Sequence, residues 1–379
     1  MGYHIREPKK ISAQSLLSAL CELSMHGAAS YNDVAAALDS LGAEQPSKQA
    51  VALRMSPVFL MLCQKLLACA IAHKTSGGLS PKQSGFLNRY SRVLIQDSTI
   101  LKLPAWLFDA FSGVSNATST VCNTRIQAVY DLLNMSFVDF SIDSYSRNDL
   151  AAAPSLLLKS GDLVLRDRGY LIADEIARHI AAGADCIYRH KTGTTYLDPV
   201  TLKPIDLLQM LQNHGSLDIT VLLNNKQRTP VRLVAGAVNE ETAALRRMKA
   251  KKETKGHNPS HAVLALMGWT IFITTIAAEV ADFRLIMMIY GLHWRIEIIF
   301  KTWKSHLRFD AIHHVSETQL RILLCARLLV ITALTSGLYK QCHQQVWKQH
   351  QSHLSLMKFI NYIAKNPAQV LNICHAFGV

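Results

Sequence analysis

The sequence has no pair of cysteines in a CxxC arrangement, although it contains eight cysteines. Zinc ribbons, zinc fingers and disulfide-stabilised scaffolds need close and regular cysteine spacing, so these classes are excluded. Reduced, buried thiols in a cytoplasmic protein are the expectation. The chain also lacks internal repeats and low-complexity segments, apart from a patch rich in Gln and His near residues 343–353.

Long uncharged apolar runs are missing as well. Val58–Ile71 is interrupted by Lys65, and Ile322–Leu334 is interrupted by Arg327. Neither run has the uncharged length that a membrane-spanning helix needs. The polar segment Met1–Lys10 does not have the pattern of a signal peptide. We therefore expect buried helices and no membrane partner.

Acidic residues are scarce relative to basic ones. The 379 residues include 40 Lys and Arg against 27 Asp and Glu, which gives a net charge of +13 and a pI near 9.4. With 49% hydrophobic residues, the chain is long and apolar enough for a sizeable core in two or three domains. The excess of positive charge predicts a polyanionic partner, with nucleic acid as the first choice.

The N-terminal part shows helical periodicity over Ser12–Met25, Tyr31–Leu41 and Ser47–Leu67. Three short helices with a tight break at Leu41–Ala43 fit a helix-turn-helix that reads DNA, and they also fit a plain helical bundle. The segment Thr75–Asn88 is rich in Gly, Ser and Pro and has no apolar period, so it predicts a domain boundary.

Alternating and apolar runs follow this boundary, and they predict an α/β unit and then a mainly β segment. The segment Arg246–Lys255 is strongly basic and is interpreted either as a phosphate-tracking surface or as an ordinary solvated helix. Helices are also expected near the C-terminus. The predicted strands are 92–101, 124–133, 137–142, 163–166, 217–223, 231–238 and 269–276, and the predicted helices are 148–158, 172–182, 317–336 and 345–364.

One stretch near residue 297 aligns an unusual set of polar groups. In a continuous helix, the spacing of three or four residues would place Tyr290, His293, Glu297, Lys301 and Lys304 on one stripe. The other face, with Met287, Met288 and further apolar residues, would pack on a core. A carboxylate beside two ammonium groups suits a metal site that also grips phosphate, although a solvated helix face explains the spacing equally simply.

Two aspartates lie in apolar surroundings upstream. Asp97 falls inside the strand pattern Val93–Ile100, and Asp167 directly follows the strand Leu163–Arg166. A buried carboxylate is costly unless it is paired or binds a cation, and sites gather at the carboxyl ends of strands. A turn at Asp97 and a helix cap at Asp167 are the simpler explanations. Two aspartates and Glu297 would together supply oxygen ligands for two Mg²⁺ ions in phosphodiester chemistry.

These motifs, taken in order, resemble those of bacterial insertion-sequence transposases of the DDE superfamily, in the branch with a Tyr, Arg, Glu, Lys signature. Tyr290, Glu297 and Lys304 match the spacing of that signature, and His293 stands at its arginine position. The contexts Gln-Asp-Ser-Thr at Asp97 and Asp-Arg-Gly-Tyr at Asp167 resemble the first and second acidic motifs. The resemblance extends from the N-terminal helices to about Ser336.

The resemblance implies an RNase H-like α/β catalytic core that is interrupted by a mainly β insertion. The implied domains are a helical DNA-binding region at 1–88, the catalytic domain at 89–190 and 265–336, the insertion at 191–264, and a C-terminal helical region at 337–379 for dimerisation or DNA-end contact. Asp97, Asp167 and Glu297 would be catalytic metal ligands. The implied DNA-binding residues are Tyr290, His293, Lys301, Lys304, Trp269 and Arg189.

The implied activity is cut-and-paste movement of an insertion sequence, in which two Mg²⁺ ions, or Mn²⁺ in their place, support hydrolysis and strand transfer. The implied partners are the terminal inverted repeats, target DNA and a second copy of the chain in a paired-end complex, so a nucleoid-associated location is expected. His293 cannot form the bidentate fork of an arginine, which keeps a catalytically weakened or inactive DNA-binding protein as an alternative. An RNase H-like nuclease that cuts without joining is the other alternative.

Overall fold

The computed structural model describes most of the chain, and the predicted boundary at Thr75–Asn88 lies outside the described residues except for 85–88. The seven described cysteines are free thiols, and Cys69 is the exposed one among them. The described residues are 11–24, 30–43, 46–73, 85–113, 121–147, 153–154, 156–253, 258–312, 315–367 and 369–370.

The chain divides into two compact units. Unit one comprises residues 1–88, 97–155 and 295–379, and unit two comprises residues 89–96 and 156–294. Strand β1, Arg92–Lys102, contributes its first half to unit two and its second half to unit one. The four domains expected from the sequence remain a prediction.

Unit one begins with four helices that start at serine caps. Ser12 and Ser30 form capping boxes, and Ser56 accepts a hydrogen bond from the backbone of Phe59. The single helix expected over 47–67 is wrong, because the chain breaks at Met55 and a new helix starts with Pro57 in its first turn. The helices are α1 Ala13–Leu23, α2 Tyr31–Ser40, α3 Lys48–Arg54 and α4 Pro57–Ala72.

The strands of unit one are the second half of β1 and the antiparallel hairpin of β2, Asn123–Asp131, with β3, Ser136–Ser144. The strand order is β3-β2-β1. A register shift at Val129/Tyr130 interrupts the hairpin ladder. The apolar side of the hairpin packs through Phe137 against Trp303, with 5.7 Å between the ring centroids, so aromatic packing fixes the helix that carries Trp303 on these strands.

Among the described residues, the C-terminal part of the chain contains α10 Trp294–His306, α11 Glu317–Thr332, a π-helical segment Ala333–Tyr339, α12 Lys340–His350 and α13 Leu356–Lys365. The helix expected over 345–364 is wrong, because Gln351 adopts a left-handed conformation (φ 50°) that ends α12. The stretch 317–350 is long and apolar enough to cross a membrane, but 67% of its most apolar window is buried within the protein. Arg327 inside it donates to the carbonyl oxygens of Phe309 and Ala311, which is a core arrangement.

Unit two contains the strand order β1-β4-β5-β9-β8-β7-β6. The first half of β1 pairs with β4 in parallel, with Gln96 opposite Arg166, and β4 pairs with β5 in parallel. The remaining pairs are antiparallel. The strands are β4 Asp162–Arg166, β5 Asp185–Arg189, β6 Tyr196–Leu197, β7 Leu217–Leu223, β8 Pro230–Ala237 and β9 Trp269–Thr274.

Among its described residues, unit two also contains the α-helices α5 Ala173–Ala181, α6 Leu207–His214, α7 Glu240–Glu253, α8 His261–Leu266 and α9 Phe283–Gly291. The basic segment near residue 250 is therefore helical through Glu253, and residues 254–257 lie outside the described part. The helix expected over 148–158 is wrong where the structure describes it, since residues 153, 154 and 156–158 are not helical.

The fold class predicted from the sequence is confirmed. The order β3-β2-β1 in unit one and β1-β4-β5 in unit two, with an antiparallel hairpin and parallel strands, is the arrangement of an RNase H-like core. Strands β6, β7 and β8 lie between β5 and β9 in the chain, so a strand-rich segment interrupts the sequence of the RNase H-like core.

Candidate active site

Asp97 lies in the middle of β1, so the turn considered for this position is excluded. Its side chain is partly buried and accepts a hydrogen bond of 2.7 Å from the backbone amide of Ser98. In unit one, Asp97 lines an open cavity of about 450 Å³ together with Glu297, Lys301 and Lys304. The strand and α10 thus present two carboxylates and two ammonium groups to one cavity.

The polar stripe predicted as one helix is divided between two helices. Helix α9 ends at Gly291, α10 starts at Trp294, and His293 lies in the turn between them. The expectation of one continuous helix is therefore wrong, although Glu297, Lys301 and Lys304 do share a face of α10. The predicted apolar back face is also wrong at Met287 and Met288, which are exposed.

Lys304 is held in place by the strand that carries Asp97. Its Nζ donates to the carbonyl oxygen of Ile100 at 2.9 Å. Partial burial lowers the pKa of Lys304, and Asp310 opposes this shift. An ammonium group has three donors, so one bond to a carbonyl leaves capacity for an anionic oxygen in the cavity.

In unit two, Asp167 follows β4 and precedes a short 3₁₀ turn at Arg168–Tyr170. The aspartate stands at the cap position of this turn, but its side chain makes no capping hydrogen bond. Instead, its Oδ1 accepts a hydrogen bond of 3.2 Å from the hydroxyl of Tyr290. The helix-cap explanation for Asp167 is therefore wrong.

The imidazole of His293 stacks on the ring of Tyr290. The two rings are nearly parallel, at 3° with 5.6 Å between centroids, and Phe272 contacts the tyrosine ring at 4.8 Å. His293 is 5% exposed, and its Nε2 pairs with the carbonyl oxygen of Gln96 at 3.1 Å. Contact of His293 and Tyr290 with DNA remains a prediction, whereas their contacts within unit two orient the tyrosine hydroxyl towards Asp167.

A buried polar network, which sequence reasoning missed, lies where Gln96 of β1 is paired with Arg166 of β4. The guanidinium of Arg166, which is 1% exposed, donates to Gln96 Oε1, Tyr188 Oη and Glu175 Oε2. Burial opposes its charge, but Tyr188 and Glu175 raise the pKa of Arg166 above its ordinary value. In the chain, Asp97 directly follows Gln96, and Asp167 directly follows Arg166. An arginine at the end of an apolar strand was the signal that could have revealed this network.

Two other predicted DNA-binding residues lie on β5 and β9 of unit two. Trp269 is half-buried, and its Nε1 donates to the carbonyl oxygen of Gly215 at 2.8 Å. Arg246 donates to the carbonyl oxygen of Trp269, and burial together with the charge of Arg189 lowers the pKa of Arg246. Two guanidinium groups that repel each other beside a tryptophan form a locally positive surface, and a role of Trp269 and Arg189 in binding DNA remains a prediction.

The acidic donors fit a hard divalent cation in their chemistry. Carboxylate oxygens are the protein ligands that Mg²⁺ prefers, and this ion keeps several waters or phosphate oxygens in its shell. Among the residues that the structure describes, no group of three or more His, Cys, Asp and Glu side chains could hold a metal ion. The cavity of unit one contributes two carboxylates, Asp97 and Glu297.

This fold, with acidic side chains on β1, after β4 and on α10, defines a protein of the RNase H-like class. The chain belongs to the family described as Transposase DDE domain, whose sequence model matches residues 90–333. The family predicted from the three acidic motifs is thereby confirmed, and the signature branch remains a prediction.

Curated relatives are transposases of bacterial insertion sequences. The transposase for insertion sequence element IS231C of Bacillus thuringiensis subsp. berliner is 28% identical over 303 residues, which cover 74% of this chain and 63% of the relative. The transposase for IS1151 of Clostridium perfringens is 23% identical over 330 residues, 80% of this chain and 68% of the relative. The chain thus spans less than two thirds of the length of IS231-type relatives.

The chain is also similar to a transposase of known structure. The piggyBac transposase in a synaptic complex with hairpin DNA aligns with a TM-score of 0.47 and 10% sequence identity, covering 98% of this chain and 74% of that chain.

Proposed function

We propose that this chain is a DNA transposase that cuts the ends of an insertion sequence at its terminal inverted repeats and joins them to target DNA. The observation that carries the proposal is the cavity of unit one, in which Asp97 and Glu297 face Lys301 and Lys304. Membership of the Transposase DDE domain family and the net charge of +13 support it.

Asp97, Asp167 and Glu297 hold the divalent ions through carboxylate oxygens. When bound, two Mg²⁺ ions, or Mn²⁺ in their place, supply the charge that activates the attacking hydroxyl and stabilises the leaving oxygen. The tyrosine hydroxyl of Tyr290 keeps Asp167 oriented through the 3.2 Å hydrogen bond. Helix α10 keeps Glu297 on the cavity because the opposite face of this helix is buried through Ile296 and Ile299.

Positive side chains hold the DNA strand. Lys301 and Lys304 bind the phosphates next to the scissile bond, since both line the cavity that contains the two carboxylates. Trp269 stacks on an unpaired base, and Arg189 binds a neighbouring phosphate. Tyr290 and His293 take part in the contact with the strand end from the side of Asp167.

The proposed substrates are the terminal repeats and the target duplex, and two copies of the chain act together in a paired-end complex. The cut frees a 3′-hydroxyl, and the same carboxylates serve when that hydroxyl attacks DNA. We place the reaction on chromosomal DNA in the cytoplasm. The C-terminal helices α12 and α13 are the proposed elements for dimerisation or for holding the DNA end.

The test uses the full chain and a labelled duplex that carries the inverted repeat flanking the reading frame. With Mg²⁺, the wild-type chain should nick the repeat end and then give joined product. Asp97→Asn and Glu297→Gln should bind the duplex and fail to nick it. Asp109→Asn serves as the matched control, because Asp109 is an exposed aspartate of unit one outside the cavity.

The outcomes separate the alternatives. Binding without nicking by the wild-type chain, in either metal, would leave a DNA-binding protein without catalysis. Nicking without joined product would identify a nuclease. Nicking that survives both Asp97→Asn and Glu297→Gln would contradict the assignment of the cavity.

A further inference from the structure

A second cavity lies in unit one behind the helix that carries Glu297. Its volume is about 310 Å³, and it is formed by α10, the β2–β3 hairpin, α12 and the segment before α13. Arg295, Ile298 and Ile299 line it, whereas Glu297 and Lys301 line the first cavity. At 100° per residue these two sets point to opposite faces of α10, so the second cavity is separate from the proposed catalytic one.

A histidine inside this cavity has an unsatisfied hydrogen-bonding atom. His343 is 3% exposed, its Nε2 pairs with His353 Nδ1 at 3.3 Å, and its own Nδ1 has no hydrogen-bond partner among the described residues. A buried polar atom needs a hydrogen-bond partner, so in a cavity wall it is available to water or to a group that binds in the cavity. The ring of Tyr339 packs on His343, and the Tyr339 hydroxyl donates a hydrogen bond to the carbonyl oxygen of Leu354.

The charge of the cavity is of one sign. Arg295 and His353 are exposed at the cavity wall and His343 lies inside, while none of the described lining residues is acidic. Burial, then His353 and then Arg295 lower the pKa of His343, so its imidazole is neutral and can donate a hydrogen bond to an anion, while Arg295 supplies the positive charge. Such a site favours an anion over a cation, and the arginine fork matches phosphate in geometry.

The rest of the wall is apolar, with contributions from Leu132, Met135, Ile298, Ile299, Leu356 and Met357. A wall of this kind suits a flat, weakly polar group attached to the anion. Cavities that hold small organic ligands begin at about 300 Å³, so there is room for more than an inorganic ion.

We propose that this cavity binds a nucleotide, with the phosphate on Arg295, His343 and His353 and the nucleoside against the apolar wall. The phosphate belongs either to a free nucleotide or to the end of a DNA strand. The proposal does not rest on the proposed catalytic function, because none of the residues lining this cavity lines the catalytic one.

The experiment measures binding of deoxyadenosine monophosphate to the full chain by isothermal titration, without divalent ions, and follows the His343 imidazole by NMR. Arg295→Gln should weaken binding by about tenfold or more, as the loss of a charge-assisted hydrogen bond implies. Lys102→Gln removes the same charge from an exposed site at the end of β1 outside the cavity and should leave binding unchanged. Deoxyadenosine, which lacks the phosphate, should bind at least about tenfold more weakly.

Competition distinguishes the two sources of phosphate. Displacement of the mononucleotide by a 5′-phosphorylated single-stranded oligonucleotide identifies a DNA end, and no displacement identifies a free nucleotide. Equal binding of deoxyadenosine and its monophosphate, or binding that Arg295→Gln leaves unchanged, would overturn the proposal. So would Zn²⁺ binding that shifts the His343 resonance while the mononucleotide does not. Because Arg295 is exposed, its variant is expected to fold, and His343→Gln gives a second check.

Discussion

Replacing Arg166 with methionine removes the guanidinium that joins β1 to β4 in unit two. The change leaves Gln96 Oε1 and Tyr188 Oη without their buried donor, while Glu175 keeps Arg178 at 2.5 Å. Breaking a buried charged pair by removing one partner costs about 3–5 kcal/mol. We therefore expect the free energy of unfolding to fall by about this amount, which is a large share of the typical total of about 5–15 kcal/mol.

The assay is urea unfolding, followed by circular dichroism, with wild type and two comparison variants. Arg178→Gln removes an exposed guanidinium from the same Glu175 and should cost less than about 1 kcal/mol, because surface ion pairs contribute little. In the double variant Arg166→Met with Gln96→Leu, part of the loss should return, since both partners are then apolar.

The same variant probes the reaction. Gln96 and Arg166 are opposite each other in the β1–β4 register, and each directly precedes an aspartate of the proposed metal site. At a temperature where Arg166→Met is still folded, its nicking rate should be lower than that of Arg178→Gln. A free energy of unfolding within about 1 kcal/mol of wild type would refute the view that this network holds the strands together.

Three further predictions concern other parts of the protein. Tyr290→Phe deletes the hydroxyl that donates to Asp167, so the nicking rate should fall by about tenfold or more, and a nicking rate equal to that of wild type would contradict an orienting role of this hydroxyl. Lys304→Ala should reduce the salt dependence of DNA binding by about one unit of slope, and an unchanged slope would exclude a phosphate contact. Burial lowers the pKa of His179 to about 4 from 6.5, so the folded state resists protonation that the unfolded state accepts. Stability should therefore drop by about 3 kcal/mol as the pH falls from 6.5 to 4, and His179→Gln should flatten this drop in pH-dependent urea unfolding.

Strand positions were predictable because apolar alternation is a local signal. The predicted strand 217–223 has the observed bounds, and the first strand, predicted over 92–101, extends over Arg92–Lys102. The break between α3 and α4 has a local signal in the sequence, since Ser56 and Pro57 are cap and first-turn residues. One helix was predicted there because the residues on both sides of the break keep the helical period.

The break between α9 and α10 could not be found from local sequence alone. Gly291 is a weak stop signal, and the turn is fixed by the contact of His293 with the carbonyl oxygen of Gln96, nearly 200 residues earlier. Tertiary contacts of this kind override helical spacing. The arginine network at Arg166 escaped for the same reason, because a strand pattern does not reveal which buried partners an ionised side chain will find.

The central claim is that Asp97, Asp167 and Glu297 share the ions that act on DNA, and metal binding by the full chain tests it most directly. Mn²⁺ titration, followed by electron paramagnetic resonance in the presence of the repeat duplex, should show affinity that falls by about tenfold or more in each of Asp97→Asn, Asp167→Asn and Glu297→Gln. Asp109→Asn should match wild type. Wild-type Mn²⁺ affinity in Asp167→Asn, together with weakened binding in the other two variants, would contradict a site that the three carboxylates share.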